Sequence, residues 1–249
     1  MLSKARIKLI QSLQIKKNRK AHQLFIVEGK KQVAELLQSS FQIQSLVATA
    51  AFITEYAQDI KNNVEITTVS EDELRKASLQ QQPQEALAIV KMPASQFNPD
   101  SLSNQFTIML DGIQDPGNLG TIIRIADWYG IKQVVCSLDC VDVFNPKTIQ
   151  ATMGSFIRVK VYYTDLQDIV QNSPLPVYAA VMHGQNLHQT TFAQHGMLLI
   201  GNEGNGISDN LLQWPHQPIT IPKFGGAESL NAGVAAAIIC DAWARSAAV

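Results

Sequence analysis

The sequence is poor in charged residues, which make up 16% of the chain, and in aromatic residues, which make up 7%. Its three cysteines, Cys136, Cys140 and Cys240, form no Cys-x-x-Cys pair, which predicts buried free thiols rather than a disulfide framework or a zinc site. No stretch approaches the roughly eighteen uninterrupted apolar residues of a membrane span, and the first residues lack the apolar core of a signal peptide. These absences lead us to expect a cytoplasmic protein without a membrane span.

The length and apolar content predict a globular protein with a substantial core. The chain has 249 residues, of which 46% are hydrophobic, and this length suits one large domain or an ordinary domain with a smaller one. Residues 93–104 contain two prolines and little periodicity, which indicates a linker. We therefore expect one domain at residues 1–92, a linker at 93–104 and a second domain at 105–249.

Positive charge is concentrated at the N-terminus. Residues 1–31 hold nine lysines and arginines against one acid, Glu28, whereas the rest of the chain holds eleven basic and twenty acidic residues. Within this arm, the spacing of apolar residues predicts a basic amphipathic helix over residues 3–20. An arm of this kind favours a polyanionic partner such as nucleic acid. The pattern leaves open the alternative of a solvated helix face.

Apolar runs alternate with helical segments along the chain. In residues 1–92 they predict a small α/β domain, with strands at 24–27, 43–47, 64–69 and 86–90. Beyond the linker, runs at 106–110, 133–136, 157–162, 177–181 and 197–200 predict a mostly parallel sheet with helices on both faces. The chain is thus expected to be an α/β protein in which a smaller α/β domain precedes a parallel sheet.

Local signals also predict where several helices begin. Ser70-Glu-Asp-Glu73 has the spacing of a capping box. Asn145-Pro146 places a capping residue before a first-turn proline. Asp165 and Ser208 are further candidate caps, and Glu228 or Ser229 is expected to cap a last helix that runs from about Ser229 to Ala247.

Asn118 and Arg124 belong to the first of three glycine-bearing segments. Gly117 and Gly120 allow a tight turn after a buried strand, before a helix over 121–128. This places both polar side chains at the carboxyl edge of the sheet, where open α/β sheets usually bind ligands. The alternative is that Arg124 is a surface arginine paired with Asp127 or Asp115.

The second segment is the loop at residues 201–206, and the third runs from Ile221 to Asn231. The glycines of the loop follow the order G-x-x-G-x-G, and no acidic residue ends a following strand, so the dinucleotide-binding fingerprint is rejected. A glycine-rich loop can still bring backbone amides close to a ligand. Glu203 either supports the substrate or stabilises the loop by accepting neighbouring N–H groups.

Together, the three segments resemble the motifs of the SpoU/TrmH-like RNA ribose 2′-O-methyltransferases of the SPOUT class. The N-terminal region, with Lys16-Lys17-x-Arg19-Lys20 followed by Leu24-Phe-Ile-Val-Glu-Gly29, resembles the ribosomal-protein-like substrate-binding domain of that family. The resemblance implies S-adenosylmethionine as the cofactor, RNA as the partner, a homodimer, and a trefoil knot in the segment after Gly201.

The resemblance also assigns roles to residues. The catalytic residues it implies are Arg124, Asn118, Glu203, Ser229 and Asn231. The cofactor-binding residues are Gly201, Ile221, Leu230, Asn202 and Gly206. The expected RNA contacts are Lys16, Lys17, Arg19, Lys20 and Lys30. Arg124 acts either as the base for the ribose hydroxyl or, because an arginine is effectively never deprotonated, as a phosphate clamp.

No metal site is expected. Methyl transfer from a sulfonium is an in-line displacement that depends on alignment of the reactants and activation of the hydroxyl. The five histidines show no metal-ligand spacing.

The chain departs from the family pattern at Lys223, at Ala232-Gly233 and at Gln150. We expect the charge of Lys223 to be directed to solvent or to RNA phosphate, and close backbone packing to offset the helix-weakening effect of Gly233. The loss of an arginine at Gln150 puts one basic contact with the substrate in doubt.

Two other functions stay open from the sequence alone. One is a non-catalytic RNA-binding or ribosome-assembly protein of the same fold. The other is a small-molecule nucleotide-binding α/β enzyme that uses the glycine loops for phosphate. Ribosomal RNA is preferred over transfer RNA as the substrate, because a separate basic domain suggests a target larger than one tRNA arm.

Overall fold

The computed structural model describes residues 2–94 and 96–247. The elements up to residue 94 are α1 (Lys4–Ser12), α2 (Lys16–His22), β1 (Leu24–Glu28), α3 (Lys30–Leu37), β2 (Ile43–Ala48), α4 (Ala50–Glu55), β3 (Glu65–Thr68), α5 (Glu71–Ala77) and β4 (Ala86–Lys91). The elements that follow are β5 (Phe106–Leu110), α6 (Pro116–Trp128), β6 (Gln133–Cys136), α7 (Pro146–Thr152), β7 (Lys160–Tyr163), α8 (Leu166–Asn172), β8 (Val177–Asn186), β9 (Gly196–Ile200), α9 (Asp209–Leu212), β10 (Gln217–Thr220) and α10 (Ala232–Ala247). Short 3₁₀ turns lie at Pro99–Leu102, Ser155–Ile157 and Leu187–Gln189.

The chain divides into two compact units. The first contains residues 1–94 together with 144–157, and the second contains residues 95–143 together with 158–249. The division falls inside the segment expected to be a linker. Segment 144–157, which carries α7, joins the first unit although its neighbours in sequence belong to the second.

A four-stranded mixed sheet forms the centre of the first unit. Its strand order is β1-β4-β2-β3, with β2 and β3 parallel and the other pairs antiparallel. One face packs on α3 and on segment 144–157, whose Phe144 ring lies 4.5 Å from that of Phe25. The opposite face packs on α1 and α5. Both faces of this sheet are therefore covered by apolar side chains.

The expected single helix over residues 3–20 was wrong, because the structure has two helices, α1 and α2. The break follows from capping of the carbonyls at the end of α1 by side chains of α2. Arg19 Nη1 donates to the carbonyls of Leu13 (2.8 Å) and Gln14 (2.9 Å), and Asn18 Nδ2 donates to that of Ser12 (3.0 Å). These bonds satisfy acceptors that a helix end leaves without partners.

A six-stranded sheet forms the centre of the second unit. Its order is β10-β8-β9-β5-β6-β7, and every pair is parallel. Met109 of β5 packs on one face with side chains of α8 and α9. Phe106 of the same strand points to the other face, because it lies an odd number of residues away, and stacks on Trp243 of α10 at 4.4 Å. The expected parallel sheet with helices on both faces is confirmed.

Most of the expected helix starts are also confirmed. The expected start of α6 at residue 121 was wrong, because Asp115 caps the helix before a first-turn proline and Gly117 and Gly120 lie inside it. Ser70 and Glu73 form the capping box, Asn145 caps α7 before its first-turn proline, and Asp165 caps α8. Ser208 precedes α9 but makes no capping bond with its side chain. That hydroxyl has another partner, described below.

Candidate functional site

Three loops meet at the carboxyl edge of the parallel sheet. They follow β5, β9 and β10, and parallel strands bring their carboxyl ends to one edge. The loops after β5 and β9 are joined by Asp111, whose Oδ2 accepts hydrogen bonds from Ser208 N (2.8 Å) and Ser208 Oγ (2.7 Å). Asn202 Nδ2 adds a bond to the carbonyl of Gly112 (2.9 Å). The loop after β9 is thus held against the start of the segment that leads into α6.

Residues 201–206 form a tight loop that only glycine at position 201 allows. Asn202 and Gly206 exchange two backbone hydrogen bonds, of 3.0 and 2.8 Å. A Cβ at Gly201 would lie 2.1 Å from the carbonyl carbon of Gly206 and 2.2 Å from the nitrogen of Ile207. Because both contacts are with backbone, no side-chain rotation could relieve them. The side chain of Asn202 stabilises the loop, since its Oδ1 accepts from Gly204 N at 2.8 Å.

A pocket of about 800 Å³ lies beside this loop. Its wall combines the loop after β9, the middle of β8, and the segment from Ile219 to Leu230. The lining residues expected to bind the cofactor are Gly201, Asn202, Gly206, Ile221 and Leu230. Among all the lining residues, Lys223 is the sole lysine or arginine, and the acids are Glu203, Asp209 and Glu228. The pocket therefore offers backbone groups and apolar side chains with a few charges.

Three of the expected catalytic residues form one hydrogen-bonded chain. Asn118 Nδ2 donates to Glu203 Oε1, and Asn231 Nδ2 donates to Asn118 Oδ1 at 2.8 Å. The backbone of Asn118 is fixed as well, because its N–H donates to Asp115 Oδ1 at 2.8 Å at the start of α6. Asn118 lies in the first turn of α6, Glu203 in the loop after β9, and Asn231 directly before α10. The chain of bonds orients a carboxylate and two amides at the edge of the pocket.

The last helix begins later than expected, and the predicted cap was wrong. The helix α10 starts at Ala232, and Asn231 Oδ1 accepts from the N–H groups of Gly233 (2.9 Å) and Val234 (3.3 Å). Glu228 and Ser229 lie in an irregular segment before it. Asparagine is as good a cap as serine, so the sequence alone could not choose among three candidates in four residues. Asn231 both caps α10 and holds Asn118.

Arg124 and Ser229 stand apart from this chain of bonds. Both are exposed, and within residues 2–94 and 96–247 neither side chain makes a hydrogen bond or ion pair. The alternative of a pairing between Arg124 and Asp127 or Asp115 was wrong: Asp127 pairs with Arg158 at 2.8 Å, and Asp115 caps α6. All the donors of the Arg124 guanidinium are therefore without a partner among the described residues. The pocket includes Ser229 among its lining residues.

The departures at Lys223 and Gly233 have structural consequences. The side chain of Lys223 is exposed at the pocket, in agreement with the expected direction of its charge. A Cβ at Gly233 would lie 3.0 Å from Cγ2 of Thr121 and 3.2 Å from Asn231 Oδ1. The close approach of α10 to α6 thus accounts for the glycine.

The sequence reading missed the role of Asp111 and misassigned that of Ser208. A polar residue directly after a buried strand was the available signal for Asp111. The thiol of Cys140 is a further missed contact, since it accepts from Ile113 N at 3.2 Å in the loop before α6. All three cysteines are free and buried, which confirms that expectation. Burial raises the pKa of Cys136, and a hydrogen bond with Cys136 lowers the pKa of Cys140.

The expected RNA contacts in the first unit fall into two groups. Lys16, Lys17 and Lys20 are exposed on α2. Arg19 is 1% exposed and donates to the end of α1, so its guanidinium serves the fold and does not face solvent. Lys30 forms ion pairs with Glu55 (2.8 Å) and Glu85 (3.2 Å), and its hydrogen bond with Glu55 raises its pKa. Only the first group presents uncommitted charge.

Two features are absent from the described part of the chain. None of its helices is long and apolar enough to cross a membrane. The same residues contain no group of three or more histidines, cysteines, aspartates and glutamates arranged to hold a metal ion.

Comparisons with known proteins cover both units. The model of the SpoU rRNA Methylase family matches residues 105–241, and that of the MRM3-like substrate binding domain matches residues 4–88. The 23S rRNA (guanosine(2553)-2′-O)-methyltransferase RlmP of Bacillus subtilis is 30% identical over 238 residues, which are 94% of each chain. A 23S rRNA (uridine(2479)-2′-O)-methyltransferase of Streptomyces viridochromogenes is 30% identical over 63% of this chain and 58% of its own length.

Solved structures give the same picture. An RNA methyltransferase assigned to the TrmH family, from Porphyromonas gingivalis, has a TM-score of 0.88 and 36% identity, covering 98% of this chain and 99% of its own. The SpoU methyltransferase AviRb of Streptomyces viridochromogenes, in complex with AdoMet, has a TM-score of 0.85 and 25% identity, covering 98% of both chains. An AdoMet-bound rRNA methyltransferase from Sinorhizobium meliloti has a TM-score of 0.86 and 26% identity, covering 98% of this chain and 95% of its own.

Proposed function

The chain belongs to the SpoU rRNA Methylase family, and on that premise we propose that it transfers a methyl group from S-adenosylmethionine to a ribose 2′-hydroxyl of ribosomal RNA. The observation that carries the proposal is the chain of bonds Glu203–Asn118–Asn231 at the edge of a pocket of about 800 Å³. This arrangement places a cofactor-sized cavity next to oriented polar groups. Relatives and structural neighbours named as rRNA 2′-O-methyltransferases or solved with AdoMet support both the reaction and the cofactor.

The pocket residues fit S-adenosylmethionine. The pocket volume lies within the roughly 300–1,000 Å³ typical of small-molecule sites. The closed backbone of loop 201–206 and the segment from Ile221 to Leu230 offer N–H and C=O groups for an adenine and a ribose, and apolar side chains for their faces. When bound, the cofactor would supply a methyl group on a sulfonium. The remainder of the cofactor would leave as a neutral thioether.

The protein itself must align the ribose 2′-hydroxyl with the methyl group of the cofactor and stabilise the negative charge that develops on the hydroxyl oxygen. We propose that Arg124 clamps a substrate phosphate, because its exposed guanidinium has no partner among the described residues and an arginine keeps its charge. Glu203 Oε1 is bonded to Asn118, whereas Oε2 makes no hydrogen bond within the described residues and can accept one from a substrate hydroxyl. Ser229, on the pocket wall, supplies a further hydroxyl beside the cofactor.

We also propose a separate role for each of the three parts of the chain expected from the sequence. Residues 1–92 grip RNA through Lys16, Lys17 and Lys20, residues 93–104 link, and residues 105–249 bind the cofactor and transfer the methyl group. The likeness to SpoU structures also supports a trefoil knot in the segment after Gly201. Three buried free cysteines suit the reducing cytoplasm, where we place the protein.

A homodimer is the proposed assembly. The helices α6 and α10 pack on each other, and each exposes an apolar side chain, with Trp128 84% exposed and Val234 47% exposed. Large apolar side chains grouped on one surface are typical of protein interfaces. A second copy of the chain that presents the same face would cover them by two-fold symmetry.

Calorimetric titration with S-adenosylmethionine and with its demethylated product tests the cofactor site. We expect one site per chain in the wild type and loss of binding in Gly201→Ala, because the added Cβ would meet backbone at 2.1 Å. Ile66→Ala is the control, since this exposed residue of β3 lies outside the pocket wall and affinity should stay within about threefold. If the wild type binds neither ligand, the non-catalytic RNA-binding function becomes the better proposal.

A further inference from the structure

Phe224 is the large apolar side chain that solvent reaches most fully in the described part of the chain. Its side chain is 97% exposed, and it belongs to the lining of the cofactor pocket. Lys223 beside it is also exposed and has no ion-pair partner among the described residues. An aromatic ring and a free cation therefore stand next to each other at the mouth of the site.

The segment that carries this pair connects the two parts of the site. It begins at Ile221 in the pocket wall and ends at Asn231, which bonds to Asn118. Gly225 and Gly226 follow the pair, and a Cβ at either position would have open space around it. No neighbouring side chain crowds this part of the segment, so a bulky planar group can approach the ring.

From this placement we propose that Phe224 stacks on the base of the nucleotide that is methylated, while Lys223 neutralises an adjoining phosphate. The inference rests on the proposed function. Every nucleobase has a face that can stack on an aromatic ring, and proteins read unstacked RNA bases in this way. A ribose hydroxyl can reach the cofactor only if its own nucleotide enters the site, so the base must lie close by.

A second copy of the chain is a less suitable occupant for Phe224. The apolar face proposed for the dimer contains Trp128 and Val234 on α6 and α10, whereas Phe224 lies in a loop beside Lys223, with Glu228 nearby in sequence. Charged residues are depleted in the cores of protein interfaces. A ring next to a cation suits a nucleotide, which combines a planar base with a negative phosphate.

The test measures kcat and KM for methyl transfer to unmodified in vitro transcribed 16S and 23S ribosomal RNA. At saturating S-adenosylmethionine, Phe224→Ala should lower kcat/KM for RNA by about 10- to 100-fold, the loss of one stacked base. Phe224→Trp and Phe224→Tyr should restore activity, whereas Phe224→Leu should behave like alanine because it has no ring. Ile66→Ala, which removes an exposed apolar side chain from β3, is the control.

Lys223 has its own readout. Lys223→Gln should reduce the slope of log affinity for RNA against log salt by about one, as expected for one phosphate contact, and Lys223→Arg should restore it.

The outcomes separate this inference from the function on which it rests. A wild type that transfers no methyl group contradicts the proposed function, and this inference with it. An active wild type whose Phe224→Ala and Phe224→Leu variants match it overturns this inference alone. Restoration by leucine would show an apolar contact without stacking, and dissociation of the dimer in Phe224→Ala would assign the ring to the partner copy. Either result overturns the inference.

Discussion

The N-terminal cations and the C-terminal polar motifs were both singled out in the sequence, and the structure uses them differently. In the C-terminal unit, Asn118, Glu203 and Asn231 come from three segments far apart in sequence and join in one chain of bonds. In the N-terminal unit, Arg19 is buried on carbonyls and Lys30 is paired with two acids. A cluster of charged residues therefore does not show which of its members face a ligand, whereas polar residues at the ends of parallel strands come together in one place.

Among substitutions in the two units, replacement of Arg124 by alanine should have the largest effect. We expect methyl transfer to fall by about 10³-fold, because a preorganised charge at the reacting group is lost, while RNA affinity falls by less than tenfold. Single-turnover methylation and filter binding check the two values. Activity within tenfold of the wild type would contradict the assigned role, and Arg124→Lys tests whether a charge without the fork geometry is enough.

Asn118→Ala should have the next largest effect, a decrease of about 10²-fold in kcat. The substitution leaves Glu203 and Asn231 without their shared partner, so the carboxylate loses its orientation. Kinetics at saturating RNA measure the effect, and calorimetry should show unchanged cofactor affinity, because Asn118 is not part of the pocket wall. An equal loss of cofactor binding would mean that the bonds support the pocket instead of the substrate.

Arg19→Ala should act on stability and not on RNA recognition. We expect the free energy of unfolding to fall by about 2 kcal/mol, because the carbonyls at the end of α1 lose a charged donor. Urea denaturation measures this. The neighbouring exposed Lys20→Ala is the control and should change stability by less than about 0.5 kcal/mol. Unchanged stability with weakened RNA binding in Arg19→Ala would restore the role expected from the sequence.

Lys17→Ala should have the smallest effect, and unlike Arg19→Ala it should act on RNA binding. Stability should not change, and RNA affinity should fall by about two- to fivefold with a reduced salt slope, as for one lost phosphate contact. Fluorescence anisotropy at several salt concentrations provides the measurement, and Lys17→Arg should retain the wild-type slope. An unchanged slope would favour the solvated helix face that the sequence left open.

Much of the fold followed from local patterns. The strands of both sheets except β10, the capping box at Ser70 and the proline start of α7 depend on neighbouring residues, and periodicity and capping rules report on those. Packing between distant segments had no such signal. Phe144 and Phe156 join the first unit through contacts with Phe25, and nothing near them in sequence marks that destination.

The site was predictable to a similar extent. Asn118, Glu203 and Asn231 could be named from motif resemblance, but the dual role of Asn231 depends on where α10 begins. The pairing of Asp111 with Ser208 joins residues far apart in sequence, which no local pattern encodes. The sequence assigned Arg19 to RNA because local patterns predicted one continuous helix. In the structure, Arg19 instead donates to carbonyls at the break between α1 and α2, and no local pattern predicts that contact.

Transfer of a labelled methyl group tests the central claim most directly. The protein is incubated with methyl-labelled S-adenosylmethionine and unmodified ribosomal RNA, and the RNA is then digested with alkali. A 2′-O-methyl group blocks cleavage at its own phosphodiester, so the account predicts that the label is recovered in alkali-resistant dinucleotides and that Arg124→Ala yields none. Label recovered in mononucleotides would place the methyl group on a base and contradict the account, as would no transfer by a wild type that binds the cofactor.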